Sequence, residues 1–366
     1  MSRIFIKHAS FDKNMQPSPN KIEQLATKIL SESVVLEKGQ SILLEFGLQA
    51  KPLALILYQK LLKNGCHVHI RIGDDDFLRT YYQHVNDQVN HVSQSEQVLY
   101  DTIDAKIVIV ATENTSALCD VDPKIISQRR KVLSPHSYKV IEKQWLLCQY
   151  PTNAFAQDAN MSLSEYVDFV FDAMLAPLDN ELMKKLKQRL DQGKQVRIIG
   201  ENTDLIFSID KRTAIICNGK HNLPDGEVFI APDEFSVEGH IYYDIPINFM
   251  GRIVEGISLT FEKGKVVHAT AHKNQDVLHA ALSVDEGASR LGEFGIGTNY
   301  SLTKPTKQIL FDEKMGGTVH LAIGRAYKEG GGKNESAIHW DMIKSLKKGK
   351  LLIDGELIQE NGTFKI

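Results

Sequence analysis

The chain has 366 residues, 42% of them hydrophobic and 24% charged, with a formal net charge of −3. This length favours two domains, and a charge so near neutrality excludes a general attraction to nucleic acid or anionic lipid. No apolar run is long enough to span a membrane. The first residues, MSRIFIKHASFDKN, have too short an apolar stretch for a secretory signal. The four cysteines are far apart in the sequence, which is typical of buried thiols in a reducing cytoplasm.

The first half of the chain alternates segments typical of helices and strands. NKIEQLATKILSESV has apolar residues at helical spacing, and the short apolar strand QSILLEFG follows it. AKPLALILYQKLLKNG is typical of a helix that ends at Gly65. The series continues as strand HVHIRIG, helix DDDFLRTYYQHVNDQV and strand DAKIVIVAT. This βαβ order predicts a parallel sheet with helices on both faces.

Two further predicted helices, SLSEYVDFVFDAML and DNELMKKLKQRLDQG, lie on either side of Pro177. We place a domain boundary at this proline. The prediction is an N-terminal α/β domain at residues 1–177, with a scaffold role, and a second domain at residues 178–366.

The second half has the pattern of an α+β domain rich in short strands. The predicted strands include QVRIIGENTDLIFSID, TAIICNG, EVFIAP, TVHLAIG, SAIHWDMI and KLLIDGELI. FEKGKVV and IDGELI have the composition of tight hairpins. One predicted helix, QDVLHAALSVDEGASRLG, interrupts the strands, and KEGGGKN at residues 328–334 is a glycine-rich loop.

Several common functional motifs are missing. The turn after the first strand contains only Gly47, so it lacks the GxGxxG pattern of dinucleotide binding. GGGKNES does not have the spacing of a phosphate-binding loop, and there is no GxSxG nucleophile motif. A nucleotide-binding role for the first half is therefore disfavoured, and titration with nucleotides would test it.

Polar residues stand at the ends of apolar strands in the second half. In SAIHWDMI, His339 and Asp341 are two residues apart, so a strand would point both to one face and Trp340 to the core. Three carboxylates and two imidazoles fit the needs of a pair of divalent cations. The full set is Glu227, Glu293, His320, Tyr327, His339 and Asp341.

Each of these residues also has an ordinary explanation. A glutamate or histidine at a strand end is usually solvated or hydrogen-bonded, and Tyr327 alone would be a packing residue. Taken alone, the His339–Asp341 motif is explained better by a hydrogen bond without a metal. The candidates are scattered over more than a hundred residues, unlike a compact HExxH motif, so spacing alone leaves both explanations open.

Five segments together resemble the catalytic half of the thermophilic aminopeptidase family of metallopeptidases, which includes aminopeptidases T and S. They are NLPDGEVFIAP, VEGISLTFEKGKVV, DEGASRLGEFGIGTN, LFDEKMGGTVHLAIGRAY and GGKNESAIHWDMI. YPTNAFAQDANMSLSEYVDFVF is similar to a stretch of the same family. The resemblance is strong after residue 150 and weak before about residue 140.

The resemblance implies a metal-dependent enzyme that releases N-terminal residues from short peptides. It implies two divalent ions, cobalt or zinc first and manganese or magnesium next, and a homodimer. Carried over by position, the metal ligands are Glu227, Glu293, His320, His339 and Asp341. Tyr327 is then the active-site tyrosine, and Glu227 or Glu293 bridges the metals or moves a proton. The rival hypothesis is a metal-binding or peptide-binding protein that has kept the fold without turnover.

Overall fold

A parallel sheet covered by helices forms the first half of the molecule, as the alternation of apolar and amphipathic segments predicts. The computed structural model describes residues 17–249 and 251–366, so the prediction about a secretory signal at residues 1–14 lies outside the described residues. The elements of this half are α1 (Pro19–Lys28), β1 (Ser41–Gly47), α2 (Lys51–Lys63), β2 (His67–Gly73), α3 (Asp75–His84), α4 (Gln94–Thr102), β3 (Ala105–Val110), α5 (Pro123–Ile141), β4 (Gln144–Gln149), α6 (Asn153–Asp158) and α7 (Leu163–Leu175).

The strands of this sheet lie in the order β2-β1-β3-β4, and each pairs with its neighbours in parallel. A two-residue strand from the second half, Asn222–Leu223, adds to β4 at the edge. The sequence analysis missed α4, α5, β4 and α6. The longest of these, α5, is mostly polar and contains Pro135, so its pattern does not predict a helix.

Local chemistry explains where the predicted helices begin and end. Gly65 follows α2 with a φ of +78°, a conformation that glycine adopts without a steric cost. The Asp74 carboxylate caps α3 by accepting hydrogen bonds from the backbone amides of Asp76 and Phe77. The helix ends at His84, and the remainder of the predicted segment forms a separate 3₁₀ turn.

The second half consists mainly of antiparallel strands, as predicted. The α/β class, with a parallel sheet first and a strand-rich region second, is therefore confirmed. The elements are α8 (Asn180–Gln192), β5 (Gln195–Gly200), β6 (Thr203–Ser208), β7 (Ile215–Cys217), β8 (Asn222–Leu223), β9 (Glu227–Ile230), β10 (Glu238–Tyr243), β11 (Ile247–Phe249), β12 (Arg252–Val254), β13 (Ile257–Glu262), β14 (Lys265–Thr270), α9 (Gln275–Leu282), β15 (Leu291–Gly297), α10 (Ile309–Asp312), β16 (Thr318–Gly324), β17 (His339–Ser345), β18 (Lys350–Ile353), β19 (Glu356–Glu360) and β20 (Thr363–Phe364).

Two antiparallel sheets dominate this half. An eight-stranded sheet has the order β14-β13-β10-β6-β5-β18-β19-β20, and a five-stranded sheet has the order β17-β16-β15-β9-β7. Both predicted hairpins are confirmed. Lys263 and Gly264 join β13 to β14 with φ of +49° and +76°, and Asp354 and Gly355 join β18 to β19 with φ of +50° and +81°. Two successive positive φ values are the requirement of a type I′ turn.

The prediction of one helix over residues 275–292 is wrong beyond Leu282. Residues 287–289 form a 3₁₀ turn, and Leu291 and Gly292 already belong to β15. All seven residues of β15 are buried between β9 and β16, and three of them are glycines. Glycine is a poor helix former, and the two neighbouring strands satisfy the backbone groups of this segment.

Buried apolar residues form two large clusters. One covers the parallel sheet and includes α1, α2 and α7, whereas the other fills the space between the antiparallel sheets and includes α8. Phe311, Met315 and Ile343 from the second half also pack in the first cluster. The division of the chain at Pro177 stays a prediction.

The cysteine prediction is only half correct. Cys66 and Cys148 are buried, but Cys119 is exposed and Cys217 is partly exposed, and all four are free thiols. Among the described residues, no helix combines the length and the apolar character that crossing a membrane requires.

Candidate metal centre

Four neighbouring strands place the five predicted ligands on one face of the five-stranded sheet. Glu227 begins β9, Glu293 lies in β15, His320 in β16, and His339 and Asp341 in β17. The register opposes Glu293 to Ala322 and Ala322 to Asp341, and it opposes Gly295 to His320. Residues directly opposite each other in antiparallel strands share a face, so all five side chains point to one side. Trp340 points to the other side and stacks on Phe249 at 4.1 Å between ring centroids, as predicted from the alternation.

Small residues lie opposite the predicted ligands in the neighbouring strands. Gly295 faces His320 across the β15–β16 pair, and a Cβ at Gly295 would lie 2.1 Å from both Cε1 and Nε2 of that imidazole. Gly297 faces Glu227, and Ala322 lies between Glu293 and Asp341. The glycines of GEFGIG are therefore explained by close approach of ligand side chains and backbone.

The donor atoms converge around Glu293. Its Oε1 lies 3.2 Å from Nε2 of His320, and its Oε2 lies 3.7 Å from Nε2 of His339. Asp341 Oδ2 is 3.2 Å from the same nitrogen of His339, and Glu227 Oε2 is 3.5 Å from Nε2 of His320. The carboxylate of Glu293 thus lies between two imidazoles, each of which has a second carboxylate beside it.

Backbone carbonyls hold both imidazoles in the orientation that turns Nε2 inward. Nδ1 of His320 lies 3.0 Å from the carbonyl oxygen of Glu313, and Nδ1 of His339 lies 2.7 Å from that of Arg325. A proton on Nδ1 satisfies each contact, so Nε2 faces the carboxylates and can bind a metal once it has lost its own proton. Histidines that bind metals in proteins are commonly oriented in this way.

Three charged residues that the sequence analysis did not select, Lys314, Glu313 and Asp225, lie in or beside the cluster. The Lys314 ammonium, fully buried, donates a hydrogen bond to Oε1 of Glu227 at 3.2 Å and a shorter one to Oε1 of Glu313. Asp225 is also buried, but its carboxylate accepts from the backbone amides of Gly219 and Gly226. In the sequence, Glu313 and Lys314 belong to the charged run DEK before β16, and such a run is by itself typical of a solvated turn.

The charges of this buried cluster perturb one another. Burial disfavours the charged imidazolium, but the neighbouring carboxylates outweigh it and raise the pKa of His320 to about 9 and that of His339 to about 10. Burial raises the pKa of Glu293 and brings that of Glu313 to about 8. Burial also acts against ionised Asp341, yet His339 lowers the pKa of this carboxyl to about 2.

The donor set fits divalent cations on two grounds. Ligand atoms of Glu293, His339 and Asp341 lie within 4.8 Å of one another, and so do those of Glu227, Glu313 and His320. Within this donor set, three buried carboxylate oxygens have no hydrogen-bond partner: Oε2 of Glu227, Oε2 of Glu293 and Oδ1 of Asp341. Unpaired buried carboxylate oxygens are costly, and a cation bound among them would remove that cost. Neutral imidazole nitrogen with carboxylate oxygen suits zinc, cobalt or manganese.

Tyr327 lies at the rim of the centre, just after β16. Its ring is 4.9 Å from that of His339 and 5.8 Å from that of Phe229, and the residue is 39% exposed. Partial burial and the nearby carboxylates, Glu293 first, raise the pKa of Tyr327, so its hydroxyl keeps its proton.

The loop after Tyr327 contains the predicted glycine-rich segment and is fixed from the side. The Arg212 guanidinium donates to the carbonyl oxygen of Gly331 and, at 2.9 Å, to the carboxylate of Glu234. The side chains of Arg212 and Glu234 are only 8% and 11% exposed. This buried pair anchors the segment between Tyr327 and His339.

Comparison with known proteins agrees with the fold. A family model described as thermophilic metalloprotease (M29) matches residues 18–364. Aminopeptidase 2 of Geobacillus stearothermophilus is 25% identical over 391 residues, which cover 92% of this chain and 93% of that protein. Aminopeptidase T of Thermus thermophilus is 35% identical over 162 residues, 40% of this chain and 38% of that protein. The solved structure of wild-type AmpT from Thermus thermophilus has the same fold, with a TM-score of 0.79 at 22% identity over 95% of this chain and 99% of that one.

Proposed function

The chain belongs to the thermophilic metalloprotease (M29) family, and from this premise we propose that it is a metal-dependent aminopeptidase with a two-metal centre. The observation that carries the proposal is the set of three buried carboxylate oxygens without a partner, set among two inward-facing imidazole nitrogens. Glu227 and His320 would hold one cation, and His339 and Asp341 the other. The position of Glu293 between the two imidazoles supports a ligand shared by both.

Divalent cations in this centre would supply Lewis acidity, which polarises a peptide carbonyl and makes water acidic enough to attack near neutral pH. The protein's own contribution is to fix five donors in advance on paired strands, so that little reorganisation is needed at the moment of reaction. We assign the movement of a proton to Glu227 or Glu293, both of which lie within the cluster.

Tyr327 is the candidate donor to the oxyanion that develops on the scissile carbonyl. Its position against His339 at the open side of the centre supports this role, since a substrate must enter there. The proposed substrates are short peptides with a free N-terminus. The cytoplasmic location and the homodimer stay predictions, as does the scaffold role of residues 1–177.

Hydrolysis of leucine p-nitroanilide and of a short peptide panel tests the function. The protein would be assayed after chelation and again after addition of Co²⁺, Zn²⁺, Mn²⁺ or Mg²⁺. We expect release of the N-terminal residue that returns with metal and is absent for the N-acetylated substrate. Bound metal without turnover on any substrate would instead favour the rival hypothesis of a binding protein, although two relatives of this chain are named aminopeptidases.

A further inference from the structure

Lys314 carries a positive charge, so its ammonium cannot bind a metal ion as the carboxylates and imidazoles of the cluster can. Its side chain is fully buried, and its ammonium lies between the carboxylates of Glu227 and Glu313. A buried lysine is expensive unless paired, so its presence beside a metal site needs an explanation. The explanation has to account for both carboxylates that it contacts.

The two oxygens of Glu227 are in different situations. Oε1 accepts from Lys314 at 3.2 Å, whereas Oε2 has no hydrogen-bond partner and lies 3.5 Å from Nε2 of His320. The ammonium therefore occupies one oxygen and turns the other toward the imidazole. A carboxylate held in this way presents a single atom to a cation.

Glu313 differs from the three carboxylates with unpartnered buried oxygens. Its Oε1 is taken by Lys314, and its backbone carbonyl accepts from Nδ1 of His320. Among the described residues, the buried oxygens that lack a hydrogen-bond partner do not include an oxygen of Glu313. Its contacts are those of a supporting residue, even though its distance to Glu227 and His320 would allow it to ligate.

We propose that Lys314 is a positioning residue of the metal centre, and this inference rests on the proposed function. Its ammonium reserves Oε1 of Glu227 and Oε1 of Glu313, which leaves Glu227 only Oε2 to offer a cation and keeps Glu313 as a supporting residue. Lys314 thereby sets which oxygens, and how many, are available to metal. Supporting contacts of this kind commonly change metal affinity by about 10–100-fold when removed.

The test compares Lys314→Met with Lys344→Met in the full-length protein. Lys344 is a matched control, because it is also buried and pairs with Asp244 at 3.3 Å, but it points to the opposite face of β17 from His339 and Asp341. Each protein would be titrated with Co²⁺, followed by calorimetry and by visible absorption. The spectrum reports the coordination number of the ion and does not respond to a general loss of stability.

For Lys314→Met we expect Co²⁺ affinity to fall by about 10–100-fold, because Glu227 is no longer held in position. We also expect the visible absorption to weaken, because Glu227 becomes free to bind through both oxygens. Lys344→Met should retain the wild-type spectrum and affinity. Identical Co²⁺ binding by wild type and Lys314→Met would overturn the inference, and so would the same change in both variants. Absence of Co²⁺ binding by the wild type would overturn the proposed function itself.

Glu313→Gln provides a second test that stays informative if Lys314→Met does not fold. The amide keeps the shape of the side chain and can still accept a hydrogen bond from Lys314. We expect the wild-type number of bound Co²⁺ ions and the wild-type spectrum. Loss of one ion would show that Glu313 is a ligand and would refute the assignment.

Discussion

Gly295 lies close to the His320 ring, so adding a methyl group in Gly295→Ala tests whether this glycine provides space for the imidazole. In Gly295→Ala the new Cβ would lie 2.1 Å from Cε1 and Nε2 of His320, far inside van der Waals contact. The ring cannot retreat freely, since it is fully buried and its Nδ1 is bonded to the carbonyl of Glu313. Overpacking of this kind costs about 1–3 kcal/mol. If displacement of Nε2 weakens metal binding by only about 1.4 kcal/mol, the metal affinity falls about tenfold.

The measurements are the midpoint of urea unfolding and the Zn²⁺ affinity from calorimetry. Gly73→Ala is the control, because Gly73 also lies in a strand and a Cβ there would meet nothing closer than the carbonyl oxygen of Phe46 at 3.8 Å. The control should differ little from the wild type in either quantity. If Gly295→Ala bound Zn²⁺ as tightly as the wild type, the explanation of this glycine as space for His320 would be refuted.

The remaining predictions concern the ligands, the rim and the anchored loop. Alanine at His339 or Asp341 should remove bound metal, measured by elemental analysis, together with activity; full activity with metal retained would exclude that residue as a ligand. Tyr327→Phe should keep its metal and lower kcat by about 10²–10³-fold, and an unchanged kcat would remove the oxyanion role. Arg212→Met should cost about 3–5 kcal/mol in urea unfolding by leaving Glu234 buried without a partner, and addition of Glu234→Gln should recover part of it. Chelation should lower the thermal midpoint, since a metal at 100 times its Kd contributes about 2.7 kcal/mol; superimposable scans with and without chelator would contradict bound metal in the folded state.

Features that depend on local backbone geometry could be predicted from the sequence. His339 and Asp341 share a face because strand side chains alternate, and the two hairpins follow from Lys263–Gly264 and Asp354–Gly355. β15 was partly misassigned because LGEFGIG has neither helical nor alternating periodicity. Its strand conformation depends on β9 and β16, between which it is buried.

The supporting contacts of the centre could not be predicted, because they join parts of the chain that are distant in sequence. Lys314 and Glu227 are 87 positions apart, and the carbonyls that orient the two imidazoles belong to Glu313 and Arg325. Every residue has a backbone carbonyl, so the sequence does not show which one contacts a histidine. A lysine in a run such as DEK is usually solvated. Only the assembled sheet shows that Lys314 lies inside the cluster.

At the start of β17, the five-stranded sheet has apolar side chains on one face and predicted ligands on the other. On β17, Trp340 and Met342 pack in the apolar cluster, while His339 and Asp341 on the same strand face the candidate metal centre. A shift of β17 by one residue would exchange these faces, placing charged ligands in the core and Trp340 in the centre. The apolar face therefore fixes the register that brings the predicted ligands together, so their geometry is a consequence of core packing as well as of the side chains themselves.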